Sequence, residues 1–394
     1  MEMFRRTYAE VNLEHLSHNF SLIQSIASSD RFLCPMVKAN AYGHGDIRIA
    51  QHLVKIGARH LGVCLIEEGL LLRKSGVQAD ILVFCGFDKI GAQKIYDARL
   101  IPVISTWDHI KHLEQVADEP MNVHVKFNTG MNRLGFDVSE SDKLKKYFKN
   151  TKKFRLKGLL SHLFNGEDAV NPNGDSAEQG RQMLEVYKIF DDPSVHMHLL
   201  NSGGIASCAA ESVQSNKQHF LNQHEWGLRP GLMLYGYTPG DHFDNLSLGL
   251  NLKPVMTFKS VVNNIRTVLK GEIVSYGASW KATRDSRIAI VSVGYADGIH
   301  RLVSNNGHAL FAGHAVPIVG KVCMDFIMLD VTDVVKSHEI YKYEEEEVIL
   351  FGYDQKNNFY SAKKTAESSQ TVVWEVLTSV GERVPRHFKG AAVG

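Results

Sequence analysis

Short apolar segments alternate with amphipathic segments from about residue 30 to residue 240, and this alternation limits the possible folds most. FLCPMVK is followed by DIRIAQHLVKIGA, HLGVCLI by EEGLLLRKSG, and DILVFCG by DKIGAQKIYDA. Continuous apolar runs separated by helical patterns are typical of a parallel sheet whose faces are covered by helices. Seven or eight such units in about 220 residues fit a (β/α)8 barrel of the TIM type better than an open, doubly wound sheet.

The pattern changes after about Leu250. Three segments in this part are rich in β-branched residues: PVMTFKSVVNNIRTV, RIAIVSVGY and EVILFGY. Gly and Asn turns separate these segments, and few helical patterns lie between them. These features are typical of a mostly β domain. We therefore predict an α/β chain with a barrel over residues 1–245 and a β domain over residues 246–394.

Composition narrows the classes of partner. The 394 residues carry a net charge of +1, so no basic surplus points to nucleic acid. The five cysteines are widely spaced and form no C-x-x-C pair, which favours reduced thiols over a disulfide framework or a metal site. No apolar run approaches the roughly 18 residues of a membrane span, and no apolar segment follows the first arginines. We expect a cytoplasmic protein without a nucleic-acid, membrane or metal partner.

The segment MVKANAYGHG places Lys38 at the carboxyl end of a predicted barrel strand. Polar residues at these strand ends face the active site in barrels of this type. A partly desolvated lysine loses its proton more easily and can then form a Schiff base. A solvent-exposed lysine at a strand exit has the same spacing, so spacing alone leaves both interpretations open.

The wider pattern resembles the alanine racemases, which are fold-type III pyridoxal-phosphate enzymes. VKANAYGHG is similar to their cofactor-binding signature, and further family segments follow in order along nearly the whole chain: NTGMNRLGF, GLLSH, NSGG, GLRPGLMLYG, LKPVMTFKS, VSYG, VGYADG, VGKVCMD and RVPR. The resemblance implies an N-terminal barrel and a C-terminal β domain. It also implies that Lys38 carries pyridoxal 5'-phosphate as an imine and that the enzyme interconverts L-alanine and D-alanine.

The resemblance further implies two catalytic bases in a homodimer with shared active sites. Lys38 would act on the D-enantiomer, and Tyr276, contributed by the partner subunit, on the L-enantiomer. Free tyrosine has a pKa of about 10, so a base near neutral pH needs help. In the family this help is a polar chain, which here would consist of His162 and Arg229. Arg229 would also meet the pyridine nitrogen, and its retained proton would leave the ring unprotonated.

The remaining site residues are implied by the same resemblance. Cofactor binding is expected from Tyr42, Asn201, Ser202 and the amides near Gly231 and Leu232. Arg133 and Met324 match positions that contact the substrate carboxylate, and Tyr295 lies at the mouth of the site.

Lys126 matches a lysine that is often carbamylated in the family and then holds the arginine corresponding to Arg133. Many relatives have aspartate where this chain has Asn128, so an anion such as chloride is the alternative to the carbamate. Glu382 falls where some relatives bring a tyrosine to the phosphate. Because a carboxylate would repel that anion, we leave Glu382 out of the site.

Several functions remain open at this point. The first is an alanine racemase that supplies D-alanine for peptidoglycan. A serine or broad-specificity racemase shares the same motifs. A third alternative is an amino-acid decarboxylase of the same fold type, but such enzymes lack the SYG and CMD pair that this chain has. A fourth is a non-catalytic pyridoxal-phosphate carrier protein, but those proteins are single barrels without a later domain such as the one that contains Tyr276 and Met324.

Overall fold

A computed structural model describes residues 5–26, 31–240, 243, 250–336, 341–343 and 345–390. The described residues form two compact units. The barrel unit takes those within 15–41 and 46–253, and the β unit takes those within 1–14, 42–45 and 254–394.

Strands occur throughout both units. In chain order they are β1 (Tyr8–Asn12), β2 (His60–Val63), β3 (Asp80–Val83), β4 (Ile101–Ile104), β5 (Met121–Asn128), β6 (Phe136–Asp137), β7 (Phe154–Leu160), β8 (His196–Leu200), β9 (Gly227–Leu228), β10 (Met256–Val268), β11 (Ile273–Val274), β12 (Trp280–Lys281), β13 (Ser286–Val291), β14 (His308–Phe311), β15 (His314–Pro317), β16 (Ile327–Asp330), β17 (Glu347–Tyr353), β18 (Phe359–Tyr360) and β19 (Arg386–Lys389).

Most α-helices belong to the barrel unit. In chain order the right-handed helices are α1 (Leu13–Ile26), α2 (Asp46–Lys55), α3 (Ile66–Lys74), α4 (Lys89–Asp97), α5 (Trp107–Val116), α6 (Ser141–Asn150), α7 (Asp175–Phe190), α8 (Ser202–Ser207), α9 (Glu211–Gln214), α10 (Ala362–Ser368) and α11 (Val373–Thr378). Helix α2 illustrates their pattern, since it buries Ile49, Ala50 and Leu53 on one face.

The strands of the barrel unit close into a ring. Seven parallel strands follow in the order β2, β3, β4, β5, β7, β8 and β9, with β6 paired alongside β5. Residues 32–37 pair with both ends of this row: the Cys34 amide donates to the Leu228 carbonyl at 2.8 Å, and the Val37 amide donates to the Gly62 carbonyl at 2.8 Å. With this closing segment the ring has eight members, and the predicted (β/α)8 barrel is confirmed.

The chain leaves the closing segment through a left-handed turn. Ala39, Asn40, Ala41 and Tyr42 have φ angles of 52°, 53°, 52° and 53°. Each L-residue in this conformation costs about 1–2 kcal/mol, so contacts outside the turn must hold it. The turn begins directly after Lys38, at the end of a barrel strand.

The β unit is built around the long strand β10. Its sheet runs β15, β14, β17, β10, β1, β19, and β13 joins β10 to β16. Strand β1 pairs antiparallel with β10, where Tyr8 faces Lys259, and parallel with β19, where Ala9 faces Arg386. The predicted barrel over residues 1–245 includes β1. In the structure β1 belongs to the β unit instead, because its pairing partners β10 and β19 both lie in that unit.

The mostly β character predicted for the second half is confirmed. Among the described helices, none has the length and apolar character needed to cross a bilayer.

Candidate active site

The predicted barrel residues lie at the carboxyl ends of the strands. Lys38 follows the closing segment, Lys126 lies near the end of β5, and His162 comes shortly after β7. Asn201 follows β8 and Arg229 follows β9. Because parallel strands of a barrel end on one rim, the fold collects these side chains from distant parts of the sequence.

Positive charge dominates this rim. Lys126 is only 7% exposed. Burial, followed by the charges of Arg229, Arg133 and Lys38, lowers the pKa of Lys126 to about 8, against an opposing effect of Cys64. A set of cations that repel one another is stabilised when an anion binds among them.

Arg229 is fixed by several acceptors. Its Nη1 donates to the His198 carbonyl at 2.6 Å and to His198 Nδ1 at 2.9 Å. Its Nη2 donates to the carbonyls of Ser161 at 2.6 Å and Leu199 at 3.3 Å, and to His162 Nδ1 at 3.3 Å. Burial lowers the pKa of Arg229 to about 10, which still leaves it charged at neutral pH. Among the described residues none accepts from Nε, so this donor is left for a bound group.

These contacts determine the protonation of two histidines. A guanidinium only donates, so Nδ1 of His162 and Nδ1 of His198 both act as acceptors. Burial and the charge of Arg229 keep the pKa of both imidazoles well below 6.5, so both rings are neutral at pH 7. The hydrogen of each ring must then lie on Nε2, and His162 presents a donor at the rim.

A second group of donors converges on Ser202. Its Oγ accepts from the Gly231 amide at 3.1 Å and from the Met233 amide at 3.3 Å. Asn201 caps α8 by accepting from the Gly204 amide at 3.1 Å. Because Ser202 Oγ accepts the bonds from Gly231 and Met233, the Ser202 hydroxyl hydrogen is left as the donor for an anion such as a phosphate. The sequence pointed to the amides of Gly231 and Leu232, and Met233 was missed.

Asn128 has a structural role in the loop after β5. Its Oδ1 accepts from the amides of Gly130 at 3.2 Å and Asn132 at 2.9 Å, while its Nδ2 donates to Asn132 Oδ1 at 2.8 Å. An aspartate could accept the two amide bonds but could not donate the third. The asparagine is therefore explained by the loop, without reference to an anion.

Tyr42 and the glycines after it belong to the β unit. A Cβ on Gly43 would lie 2.2 Å from the Leu377 carbonyl oxygen, and its φ is +82°, so only glycine fits. Arg386 donates from Nε to the Gly43 carbonyl at 2.9 Å. The glycines of YGHG are thus required for close packing, and Arg386 of the RVPR segment holds them. Burial lowers the pKa of Arg386, and the charge of the nearby Glu382 partly opposes this effect.

The later predicted residues lie together on exposed loops of the β unit. Tyr276 is 71% exposed and Met324 is 52% exposed. The Tyr295 amide donates to the Cys323 carbonyl at 3.0 Å, and Ser275 Oγ donates to the Lys321 carbonyl at 2.7 Å. These bonds hold the SYG, GYADG and CMD segments side by side. Exposed aromatic and thioether groups in such proximity are typical of an interaction surface.

Two further positions of the barrel unit were not predicted. Glu68 accepts from the Ala39 amide at 2.6 Å, directly after Lys38, and from the amides of Cys64 at 2.8 Å and Leu65 at 3.0 Å. His198 contacts Arg229 as described above. In the sequence, two features could have indicated these residues: Glu68 lies in the first helical turn after β2, and His198 lies just before the NSGG segment.

Comparison with known proteins identifies the family. The family described as alanine racemase, N-terminal domain, matches residues 11–239, and the one described as alanine racemase, C-terminal domain, matches residues 255–388. The alanine racemase of Halothermothrix orenii is 32% identical over 396 residues, with 99% of this chain and 98% of that protein covered.

Solved structures of alanine racemases resemble this chain over nearly its whole length. The crystal structure of alanine racemase from Streptomyces lavendulae has a TM-score of 0.86 at 26% identity, with 99% of this chain and 98% of that chain covered. The alanine racemase of Bartonella henselae, with covalently bound pyridoxal phosphate, has a TM-score of 0.81 at 29% identity, with 98% and 99% covered. The chain belongs to the alanine racemase family.

Proposed function

We propose that this protein is an isomerase that interconverts L-alanine and D-alanine, with pyridoxal 5'-phosphate as its cofactor. The observation that carries the proposal is the cationic rim of the barrel, where Lys38, Lys126 and Arg229 meet at the ends of three separate strands. An amine that can form an imine and several cations for anionic groups are what the cofactor and an amino acid require.

The donors of the barrel unit fit the cofactor. The Ser202 hydroxyl would donate to its phosphate, and the amides of Gly231 and Met233, which donate to Ser202 Oγ, would orient that hydroxyl. Arg229 Nε–H, which no described residue engages, would donate to the pyridine nitrogen. Tyr42, Asn201 and the amide of Leu232 complete the proposed binding set. When bound, pyridoxal phosphate delocalises the electron pair that remains after the Cα proton of the amino acid is removed.

Two residues would move the proton. Lys38 takes it from, and returns it to, the face presented by D-alanine. Tyr276 of the partner subunit does the same on the face presented by L-alanine. His162 carries its hydrogen on Nε2 because Arg229 occupies Nδ1. A neutral donor at this position would stabilise the phenolate of the tyrosine and so bring its pKa closer to the working pH.

Arg229 would also restrict the outcome of the reaction. A guanidinium whose pKa is about 10 keeps its proton at neutral pH and does not transfer it to the pyridine nitrogen. By leaving the pyridine nitrogen unprotonated, Arg229 would make the bound cofactor a weaker electron acceptor, which would favour racemisation over transamination. Racemisation is then the favoured outcome.

Arg133 and the Met324 amide would bind the substrate carboxylate, with Lys126 in support as a carbamate. Its pKa of about 8 leaves part of the amine neutral near pH 7.5. A neutral amine can attack carbon dioxide, form an N–C bond and lose one proton, which converts a repelling cation into an anion beside Arg133. Protein equilibrated with ¹³C-bicarbonate should show a carbamate signal by ¹³C NMR that Lys126→Met abolishes. No signal, together with chloride-dependent activity, would favour the bound anion instead.

We also propose that the enzyme is a cytoplasmic homodimer and that its D-alanine serves peptidoglycan synthesis. All five cysteines are free thiols, which suits a reducing compartment. The exposed Tyr276 and Met324 supply a surface on which a second copy can bury apolar area.

A chiral assay of the purified protein with L-alanine tests the activity, with L-serine as the comparison substrate. We expect racemisation of alanine to exceed that of serine. Lys38→Ala should lose both the bound chromophore and the activity, whereas Tyr276→Phe should keep the chromophore and lose most racemisation. Full activity of Tyr276→Phe in both directions would rule out the two-base assignment. Borohydride reduction and digestion should place the pyridoxyl group on Lys38 and on no other amine.

A further inference from the structure

A second buried imidazole lies behind the one that contacts Arg229. His124 Nδ1 is 2.8 Å from His198 Nε2. The two rings are 2% and 0% exposed. His198 Nδ1 accepts from Arg229, so the ring hydrogen lies on Nε2 and must be donated to His124 Nδ1. A chain of donors therefore runs from Arg229 through His198 to His124 inside the barrel.

The barrel leaves room for this pair through two glycines. A Cβ on Gly158 of β7 would lie 2.1 Å from His124 Nδ1, and a Cβ on Gly227 of β9 would lie 2.6 Å from His198 Cβ. Phe32 covers the pair, with ring centroids 4.5 Å from His198 and 5.6 Å from His124. The two glycines and Phe32 therefore pack closely around both imidazoles.

We propose that His124 is a positioning residue, which fixes the tautomer of His198 and through it the direction of the Arg229 guanidinium. The inference rests on the proposed function only in its last step, where Arg229 meets the pyridine nitrogen. The first steps concern the barrel alone and hold with or without a cofactor.

The loss of the acceptor on His124 has a definite consequence. His198 would then carry a buried N–H without a partner, which is unfavourable. The ring can relieve this by moving its hydrogen to Nδ1, but that hydrogen would then face the Nη1 donor of Arg229. The guanidinium has to shift, and its Nε–H no longer points where the ring nitrogen is proposed to lie.

The substitutions His124→Asn and His124→Leu separate this role from packing. The asparagine and leucine side chains share the same branched skeleton, and both have fewer non-hydrogen atoms than histidine. Asparagine Oδ1 falls close to the position of the histidine Nδ1 and can accept from His198, whereas leucine cannot. Gly158→Ala is a further variant, since it keeps the imidazole but displaces its Nδ1, and it serves should the leucine variant not fold.

The first readout uses the protein freed of cofactor and labelled with ¹⁵N-histidine. Long-range ¹H–¹⁵N correlation should show His198 with an unprotonated Nδ1 and a protonated Nε2 in the wild type. We expect the same pattern in His124→Asn and an altered or exchange-broadened pattern in His124→Leu. An unaltered His198 in the leucine variant would overturn the proposal, whatever the activity of the enzyme.

The second readout is the partition between racemisation and transamination of the enzyme loaded with pyridoxal phosphate. Transamination converts alanine to pyruvate and the cofactor to pyridoxamine phosphate, so pyruvate per racemised alanine can be counted. A loss of one hydrogen-bonded contact at Arg229 should raise this ratio roughly tenfold in His124→Leu and by less than about twofold in His124→Asn.

The two readouts separate the positioning role of His124 from the proposed racemase activity. Equal ratios in the asparagine and leucine variants would show that His124 acts only by filling space, which also overturns the proposal. Absence of racemisation in the wild type, with the expected tautomers in the NMR experiment, would contradict the proposed function and leave the positioning role standing.

Discussion

Lys126 is a buried amine surrounded by other cations, and its charge should destabilise the fold. Its pKa in the folded protein is about 8, against an ordinary value of 10.5. Folding therefore disfavours the protonated form, and below pH 8 the folded state carries the full penalty of the buried charge. As the pH rises from 8 to 10.5, the folded state becomes neutral while the unfolded state still binds the proton, so stability increases across this window.

The substitution Lys126→Met tests this point. Methionine fills similar space without a charge, so the variant freed of cofactor should unfold at higher denaturant concentration than the wild type at pH 7. The expected gain is up to about 3 kcal/mol in carbon-dioxide-free buffer. The difference should shrink as the pH rises from 8 to 10.5. A gain that persists unchanged at pH 10.5 would assign it to better packing instead of charge removal.

Glu68 joins the turn that follows Lys38 to the residues that follow β2. Its carboxylate accepts three amide bonds, and the shortest comes from Ala39. In Glu68→Gln the carboxamide NH2 would replace one acceptor, so either Ala39 or the pair Cys64 and Leu65 loses its partner. We expect a loss of about 0.5–1.5 kcal/mol in stability, the net contribution of one hydrogen bond, because these amides are exposed or partly buried and water can replace the lost acceptor.

The measurement that relates Glu68 to Lys38 is the rate at which pyridoxal phosphate becomes reducible by borohydride at that lysine. We expect slower labelling in Glu68→Gln. Glu67→Gln is the control, since Glu67 is exposed in the same first turn of α3 and removes the same charge near the helix terminus. Equal labelling rates in the two variants would mean that Glu68 supports only its own helix.

The left-handed turn Lys38–Tyr42 is the element whose backbone is most unusual. Ala39 is exposed and has a φ of 52°, so its side chain gains little from burial while its backbone is strained. Ala39→Gly should raise the melting temperature slightly or leave it unchanged, because glycine adopts this conformation without a steric cost. Ala39→Val should lower stability by about 1–2 kcal/mol.

A right-handed helix provides the control for the turn. Lys94→Gly in the exposed face of α4 should cost about 1 kcal/mol, the usual penalty of glycine inside a helix. The opposite signs at Ala39 and Lys94 would be the signature of left-handed strain. Equal losses at both positions would show that the contacts made by the Ala39 methyl outweigh its backbone strain.

Elements differ in how far the sequence predicts them. The barrel strands are continuous apolar runs because both faces are covered, and this local pattern was sufficient to predict them. Strand β1 was assigned to the barrel because its partners β10 and β19 lie far along the chain, where no local pattern indicates pairing. The left-handed turn was not predicted, since Ala-Asn-Ala-Tyr has no preference for four successive positive φ angles.

The same distinction applies to the site. Lys38, His162 and Arg229 were predicted because they lie in segments whose order resembles a known family. Glu68 and the pair of His124 and His198 were not assigned roles, because their contacts depend on the close approach of separate strands and on glycines that make room for them. A motif indicates which side chain performs the chemistry, while the residues that hold it in place become visible only in three dimensions.

At the scale of the whole molecule, the proposed bases lie in different units of the chain. Lys38 belongs to the barrel unit and Tyr276 to the β unit. The phenol of Tyr276 is exposed, together with Met324 and Tyr295 on neighbouring loops. A partner subunit that receives this exposed phenol would complete the proposed site.

Mixing two inactive variants tests whether sites are shared. A dimer of one Lys38→Ala chain and one Tyr276→Phe chain would contain one site with neither substitution and one site with both, if each site takes its lysine and tyrosine from different chains. Random reassociation of equal amounts makes half of the dimers mixed, so the mixture should recover about a quarter of the wild-type activity per site. Variants separately taken through the same dissociation and reassociation should remain inactive. If both bases came from one chain, every site in every dimer would still lack one of them, and mixing would recover nothing.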